Sequence, residues 1–187
     1  MKRTLAILTL LLASSLSAQP APPASAPTEV AVLETSLGTM VFKLFEKDAP
    51  KTVANFKALV REGFYDGKPF YRVVAGHVIQ SGDGGESGRP TVPDEFNSNP
   101  HVAGALGLAH DVQPNTGSTE IYVCLAPRPH LDGRFTVFGQ VIEGMDVLTK
   151  IGAVPVNEKF LEGNIAFHEP KEPVLIRKAR LETRPAG

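Results

Sequence analysis

FYRVVAGHVIQSGD, residues 70–83, is the stretch that decides how this chain is read. It divides into two short runs of β-formers, 70–74 and 77–81, joined by Ala75 and Gly76, and Gly82 closes the second because it offers no side chain for strand packing. Alternate side chains of a strand point to opposite faces, so Phe70, Arg72 and Val74 share one face, while His77, Ile79 and Ser81 lie opposite Val78 and Gln80. Arg72 and Gln80 are the polar members. A half-buried guanidinium on an apolar strand has to be paired or used, so Arg72 is either a structural ion-pair partner or a fixed hydrogen-bond donor aimed at a ligand.

The flanking sequence continues the β pattern. Upstream, 30–35 and 39–45 form a hairpin about the turn 36–38, with Met40, Phe42 and Leu44 on one face. A helix follows: Asp48 stands where a cap belongs, Pro50 suits the first turn, Val53, Phe56, Leu59 and Val60 make one apolar stripe, and Gly63 ends it. Downstream, 82–100 is a surface loop with Pro90, Pro93 and Pro100. It lacks both the Lys-Ser/Thr pair of a phosphate-binding loop and the alternating acids of a calcium loop. Strand character returns at 104–109, 120–126 and 135–142. A short helix spans 144–152 with Met145, Leu148 and Ile151 on one side, and a last strand, 174–181, pairs back with the first so that the sheet has no free edge. Many short antiparallel strands with two helices give a mainly β fold, a closed barrel rather than a parallel α/β sheet.

Composition narrows the function. A chain of 187 residues, 42% hydrophobic and 21% charged, suits one soluble domain. Nineteen basic against twenty acidic residues, net charge -1, leave no electrostatic footprint for nucleic acid or an anionic membrane surface. Lys2 and Arg3, an apolar run over 5–12 and small residues to Ala18 have the layout of a secretory signal over 1–18, cleaved after Ala18. The run is shorter than the roughly 20 residues of a membrane span. Residues 19–28, QPAPPASAPT, form a solvated tether, residues 29–184 the folded domain, and the expected location is periplasmic or secreted. Cys124 is the only cysteine, so no intrachain disulfide forms, and its neighbours Val123 and Leu125 make it a small buried hydrophobe.

FYRVVAGHVIQSGD, PDEF at 93–96, GALGLA at 104–109, PNTGS at 114–118 and HLDGRFTVFGQVIEGMDV at 130–147 occur in an order that resembles a cyclophilin, the peptidyl-prolyl cis-trans isomerase family, over nearly all of residues 30–181. The resemblance implies an eight-stranded antiparallel barrel capped by two helices, with a peptide groove on its outer surface. It implies Arg72 as the catalytic arginine and Gln80 as a groove glutamine. His77, Val78, Ala109, His110, Glu120, Tyr122, His130, Leu131 and Phe135 are implied as the substrate-binding set.

The chemistry accounts for the arginine. Rotation about an X-Pro bond faces a barrier of ~18–20 kcal/mol from amide conjugation. A guanidinium donating to the prolyl nitrogen favours the twisted, pyramidal state in which the lone pair has left conjugation. No metal, nucleotide, cofactor or general base is required. Departures from the family pattern gather at the pocket: His77, Val78 and Tyr122 replace phenylalanine, methionine and phenylalanine, His130 replaces tryptophan, Glu120 replaces glutamine, and Phe135 replaces a histidine or tyrosine. The pocket is therefore expected to be more polar, and a lost aromatic contact of about 1–3 kcal/mol is roughly tenfold to a hundredfold in rate. His77, His110 and His130 with Glu120 and Asp111 are read as groove residues rather than metal ligands, and His101 and His168 as loop residues without a special role. The expected function is isomerisation of proline-containing, extended segments of exported proteins by a monomer. The alternative is a peptide-binding or chaperone module with little turnover.

Overall fold

The β1–β2 hairpin, β1 (Thr28–Thr35) and β2 (Gly38–Leu44), starts the sheet, with Val30 opposite Lys43 and Leu33 opposite Met40. The computed structural model describes residues 27–83, 88–161 and 165–185. The expected signal and residues 19–26 of the expected tether lie outside them, and β1 begins at Thr28.

Helix α1 (Pro50–Arg61) follows, then β3 (Arg72–Val74), β4 (Val78–Ser81), β5 (Ala105–Leu108), β6 (Ile121–Cys124), a 3-10 turn (Pro129–Leu131), β7 (Thr136–Glu143), α2 (Met145–Gly152), β8 (Val156–Leu161), β9 (Ile165–Pro170) and β10 (Ile176–Arg184). The main sheet has eight antiparallel strands in the order β10-β1-β2-β7-β5-β6-β4-β3. The expected eight-stranded antiparallel architecture with two helices is present, but closure is incomplete. The two end strands, β3 and β10, are not laddered to each other. The chain leading into β3 and the start of β10 carry the seam: the Phe70 amide donates to the Val174 carbonyl at 2.8 Å, and the Ile176 amide to the Lys68 carbonyl at 2.8 Å. The sheet is thus a strongly curled half-barrel with a short seam, because β3 is only three residues long.

The core is filled from both helices and the inner face of the sheet. Val53, Phe56, Leu59 and Val60 of α1 are all buried, as their spacing predicts, and the Phe56 ring lies 5.3 Å from that of Phe138 and 5.5 Å from that of Tyr65. Gly63, at φ 71°, ends the helix in the left-handed region. The expected cap does not form. Ala49 is the N-cap, Asp48 instead accepts from the Asn99 amide at 2.9 Å, and the open amides of Lys51 and Thr52 are met by Glu95 from the distant PDEF segment. On α2 the buried side chains are Val147, Leu148 and Ile151, while Met145 is exposed, so the stripe is turned relative to the expected one.

Two further differences bear on the site. The β8–β9 hairpin, absent from the sequence reading, forms its own two-stranded sheet, and β9 packs over β3. Phe70 and Arg72 also do not share an environment: Phe70 belongs to the main core, whereas Arg72 is half-buried on the outer surface. The strand begins only at Arg72, so the alternation assumed from residue 70 does not hold across Tyr71. Among the described residues, no helix is long and apolar enough to cross a membrane.

Candidate active site

Strands β3 and β4 pair so that Arg72 stands directly opposite Gln80. Side chains at paired positions lie on the same face, and the Arg72 Nη1 donates to Gln80 Oε1 at 3.0 Å. This bond holds one arm of the guanidinium and leaves the head group at a cavity of about 190 Å³. The bonded partner is a neutral amide, so the charge of Arg72 is oriented without being cancelled by that bond. Burial pulls its pKa down from the usual 12.5, with Tyr71 and Glu120 opposing, and a guanidinium remains protonated throughout the physiological range.

The rest of the cavity is contributed element by element. Val78 and Gln80 come from β4, Tyr122 from β6, and Ala109 and His110 from the chain leaving β5. Leu131 ends the 3-10 turn, Phe135 precedes β7, and His77 closes the β3–β4 turn. Behind them a small apolar cluster of Val78, Ala105, Tyr122, Cys124 and Val137 packs with Ala109, Leu131 and Phe135. Nine of the eleven expected site residues therefore converge on one depression among the described residues, and the other two, Glu120 and His130, are not part of its lining.

His130 stands at the rim, its ring 5.9 Å from that of His77 and nearly parallel to it. Burial, reinforced by Arg128, Arg72 and His130, lowers the His77 pKa below 6.5, so this imidazole is neutral at pH 7. Glu120 does not line the cavity: it accepts a hydrogen bond from the Tyr71 hydroxyl, and the Tyr71 ring stacks on Phe167 of β9 at 6.0 Å. Burial first, then Glu120, pushes the Tyr71 phenol pKa up, so it stays a donor. His110 stacks on Phe135 at 4.3 Å, its ring nitrogens 2.6 Å from the Asp111 carbonyl and 2.8 Å from the Arg134 carbonyl. Phe96 continues that row outward, 6.4 Å from His110. The histidines are thus held apart by rings and carbonyls, and no group of three or more His, Cys, Asp or Glu suited to a metal occurs among the described residues.

Three residues that sequence reasoning passed over complete the site. His101, read as a loop residue, is 2% exposed, with its Nδ1 2.7 Å from Asp132 Oδ1 and its Nε2 2.8 Å from the Tyr122 hydroxyl. Gly107 faces the Tyr122 ring so closely that a Cβ there would overlap Cζ and Oη. No local pattern marks these residues, because each acts across strands or loops. His168, the other histidine read as a loop residue, lies in β9 with Nδ1 3.9 Å from Glu158.

Residues 30–181 match the family described as cyclophilin type peptidyl-prolyl cis-trans isomerase/CLD. The chain belongs to that family. Among its relatives, a peptidyl-prolyl cis-trans isomerase of Synechococcus elongatus is 48% identical over 114 residues, 59% of this chain and 78% of that one. A counterpart from Schizosaccharomyces pombe is 38% identical over 79% of this chain and 95% of its own. Of the solved structures, a Cryptosporidium parvum cyclophilin type peptidyl-prolyl cis-trans isomerase, determined in the presence of the dipeptide Ala-Pro, superposes with TM-score 0.74 at 25% identity, covering 83% of this chain and 99% of that one. Cyclophilin AquaCyp293 of Hirschia baltica shares the fold, with TM-score 0.66 at 21% identity over 84% and 80% of the two chains. This cyclophilin is accordingly a peptidyl-prolyl cis-trans isomerase.

Proposed function

We propose that the cavity beside Arg72 seats the prolyl ring of an extended polypeptide, and that Arg72 catalyses rotation by donating to the prolyl nitrogen as it pyramidalises. The observation that carries this reading is the Arg72–Gln80 bond at the edge of an apolar-backed depression. It fixes a permanent charge where nitrogen lone-pair density grows in the twisted state and is absent from the planar one, so the interaction is strongest at the transition state. Tyr122, Leu131, Phe135 and Val78 hold the ring while the acyl side turns. The phenol of Tyr122 is bonded to a buried histidine, so the wall is less polar than its composition suggests.

The clients are exported proteins, and the enzyme is periplasmic or secreted as a monomer. What supports export is the signal-like layout of residues 1–18 followed by the Pro/Ala-rich stretch 19–28.

A protease-free assay of a short X-Pro peptide tests the chemistry: the wild type is expected to exchange cis and trans well above background and Arg72→Ala near it. Equal rates for the two proteins would remove Arg72 from the mechanism, and near-background rates for both would leave a peptide-holding module. Fusing residues 1–28 to a reporter active only outside the cytoplasm tests export, and an inactive fusion would refute it.

A further inference from the structure

The hydroxyl of Tyr122 is the one polar atom carried by the apolar cluster behind the cavity that has a built acceptor beneath it. His101 lies next to the hydroxyl, 2% exposed, with its ring plane nearly parallel to that of Tyr122 at 6.0 Å between centroids. Its Nε2 is 2.8 Å from the hydroxyl and its Nδ1 2.7 Å from Asp132 Oδ1, which also accepts from the His101 backbone amide at 2.8 Å. The direction of the chain follows from chemistry. The Asp132 carboxyl is held below its usual range, first by the backbone amide and then by the ring, so it is an ionised acceptor at neutral pH. Nδ1 faces this acceptor and carries a proton toward it, and in the neutral ring that tautomer leaves Nε2 as the acceptor. Burial pushes the Tyr122 phenol pKa up, so the phenol keeps its proton and has it available for Nε2 at 2.8 Å.

We infer that Asp132 and His101 are positioning residues that capture the Tyr122 hydroxyl beneath the cavity, so that the tyrosine presents its ring, and not its phenol oxygen, to the prolyl group. Gly107 is part of the same device, since only a residue without Cβ leaves room for the longer ring. An unbonded hydroxyl in the apolar wall would cost its desolvation or draw in water where the prolyl ring has to seat. The inference rests on reading the cavity as the prolyl site.

The test is a mutant cycle together with a tautomer measurement on the full chain. If His101 and Asp132 act through the hydroxyl, Asp132→Ala lowers kcat/KM about three- to tenfold, the worth of one hydrogen bond, when Tyr122 is present, and lowers it no further in a Tyr122→Phe background. Equal losses in both backgrounds would mean a general structural effect and would overturn the inference. Imidazole ¹⁵N shifts of the unmodified protein are expected to show His101 protonated on Nδ1 alone, and a proton on Nε2, with or without one on Nδ1, would refute the capture directly. The shifts do not depend on activity, so a wrong assignment of the cavity, seen as an Arg72→Ala variant with full activity, remains distinguishable from a wrong assignment of the relay.

Discussion

Glu95 Oε2 accepts a hydrogen bond from the Thr52 amide at 2.8 Å, across forty-three residues. Its other oxygen takes the Lys51 amide at 3.0 Å, so one carboxylate satisfies two open donors of the first turn of α1 and places a negative charge at the positive end of the helix. Glu95 is itself held, its amide donating to Thr136 Oγ1 at 2.9 Å at the start of β7. The cap therefore ties helix, loop and sheet together. Glu95→Ala is expected to cost about 1–2 kcal/mol in urea denaturation, with the isomerase rate per folded molecule retained. Asp48→Ala, which removes no cap, is expected to cost less, and a larger loss at Asp48 would contradict the assignment.

Arg72→Lys separates charge from geometry. Lysine keeps the charge but loses the planar fork that bonds Gln80 and points a second donor into the cavity. A drop in kcat/KM of about a hundredfold, close to that of Arg72→Ala, is expected in the peptide assay, and retention of most of the rate would show that charge alone suffices.

Gly107→Ala places a methyl group against the Tyr122 ring. Overpacking of this kind costs about 1–3 kcal/mol. The side chain that gives way is the cavity wall, so a fall in kcat/KM is expected together with a lower thermal midpoint. Unchanged kinetics would mean that the ring position does not matter to turnover.

Lys57 is 8% exposed and donates to Glu29 at 2.8 Å and to Glu46 at 2.5 Å. Its hydrogen bond is the first cause holding Glu29 below the ordinary 4.5, so that contribution is present above pH 4.5 and fades as the pH falls through the depressed folded value. The ammonium behaves in the opposite sense. Burial alone would lower its pKa, but the two carboxylates raise it above 10.5, so its contribution is complete below pH 10.5 and is lost as the pH climbs through the raised value. Lys57→Met is expected to flatten both slopes in a plot of urea midpoint against pH, and a superimposable profile would show that the cluster is energetically silent.

Cys124 is 0% exposed, and burial pushes its thiol pKa up to about 11. It is expected to be inert to a thiol reagent at pH 8 in the native protein and to react once in denaturant. Fast native labelling would place it at the surface.

Where burial decides the periodicity, the sequence was readable. The α1 stripe at Val53, Phe56, Leu59 and Val60 and the strands flanking Gly76 are in place because their side chains have one apolar neighbour to face. The cavity residues were reachable only through the family resemblance, since Arg72, Tyr122 and Phe135 are brought together by strand order, which no local spacing encodes. The cap was misplaced because Asp48 has the right local position and Glu95 the right spatial one. The β8–β9 hairpin was missed because its polar-rich strands pair with each other outside the main sheet, which leaves a weaker hydrophobic signal.

The ladder between β1 and β10 has a consequence in time. Strand β1, the first among the described residues, lies between β2 and β10, and β10 is the last of the described strands to be made. Until residues 176–184 have left the ribosome, the opening hairpin keeps one row of amides and carbonyls without its final neighbour. Pairing across such a long stretch of chain is slow to nucleate. The main sheet can therefore be completed only after β10 has been made, and β1 waits for its second neighbour until then.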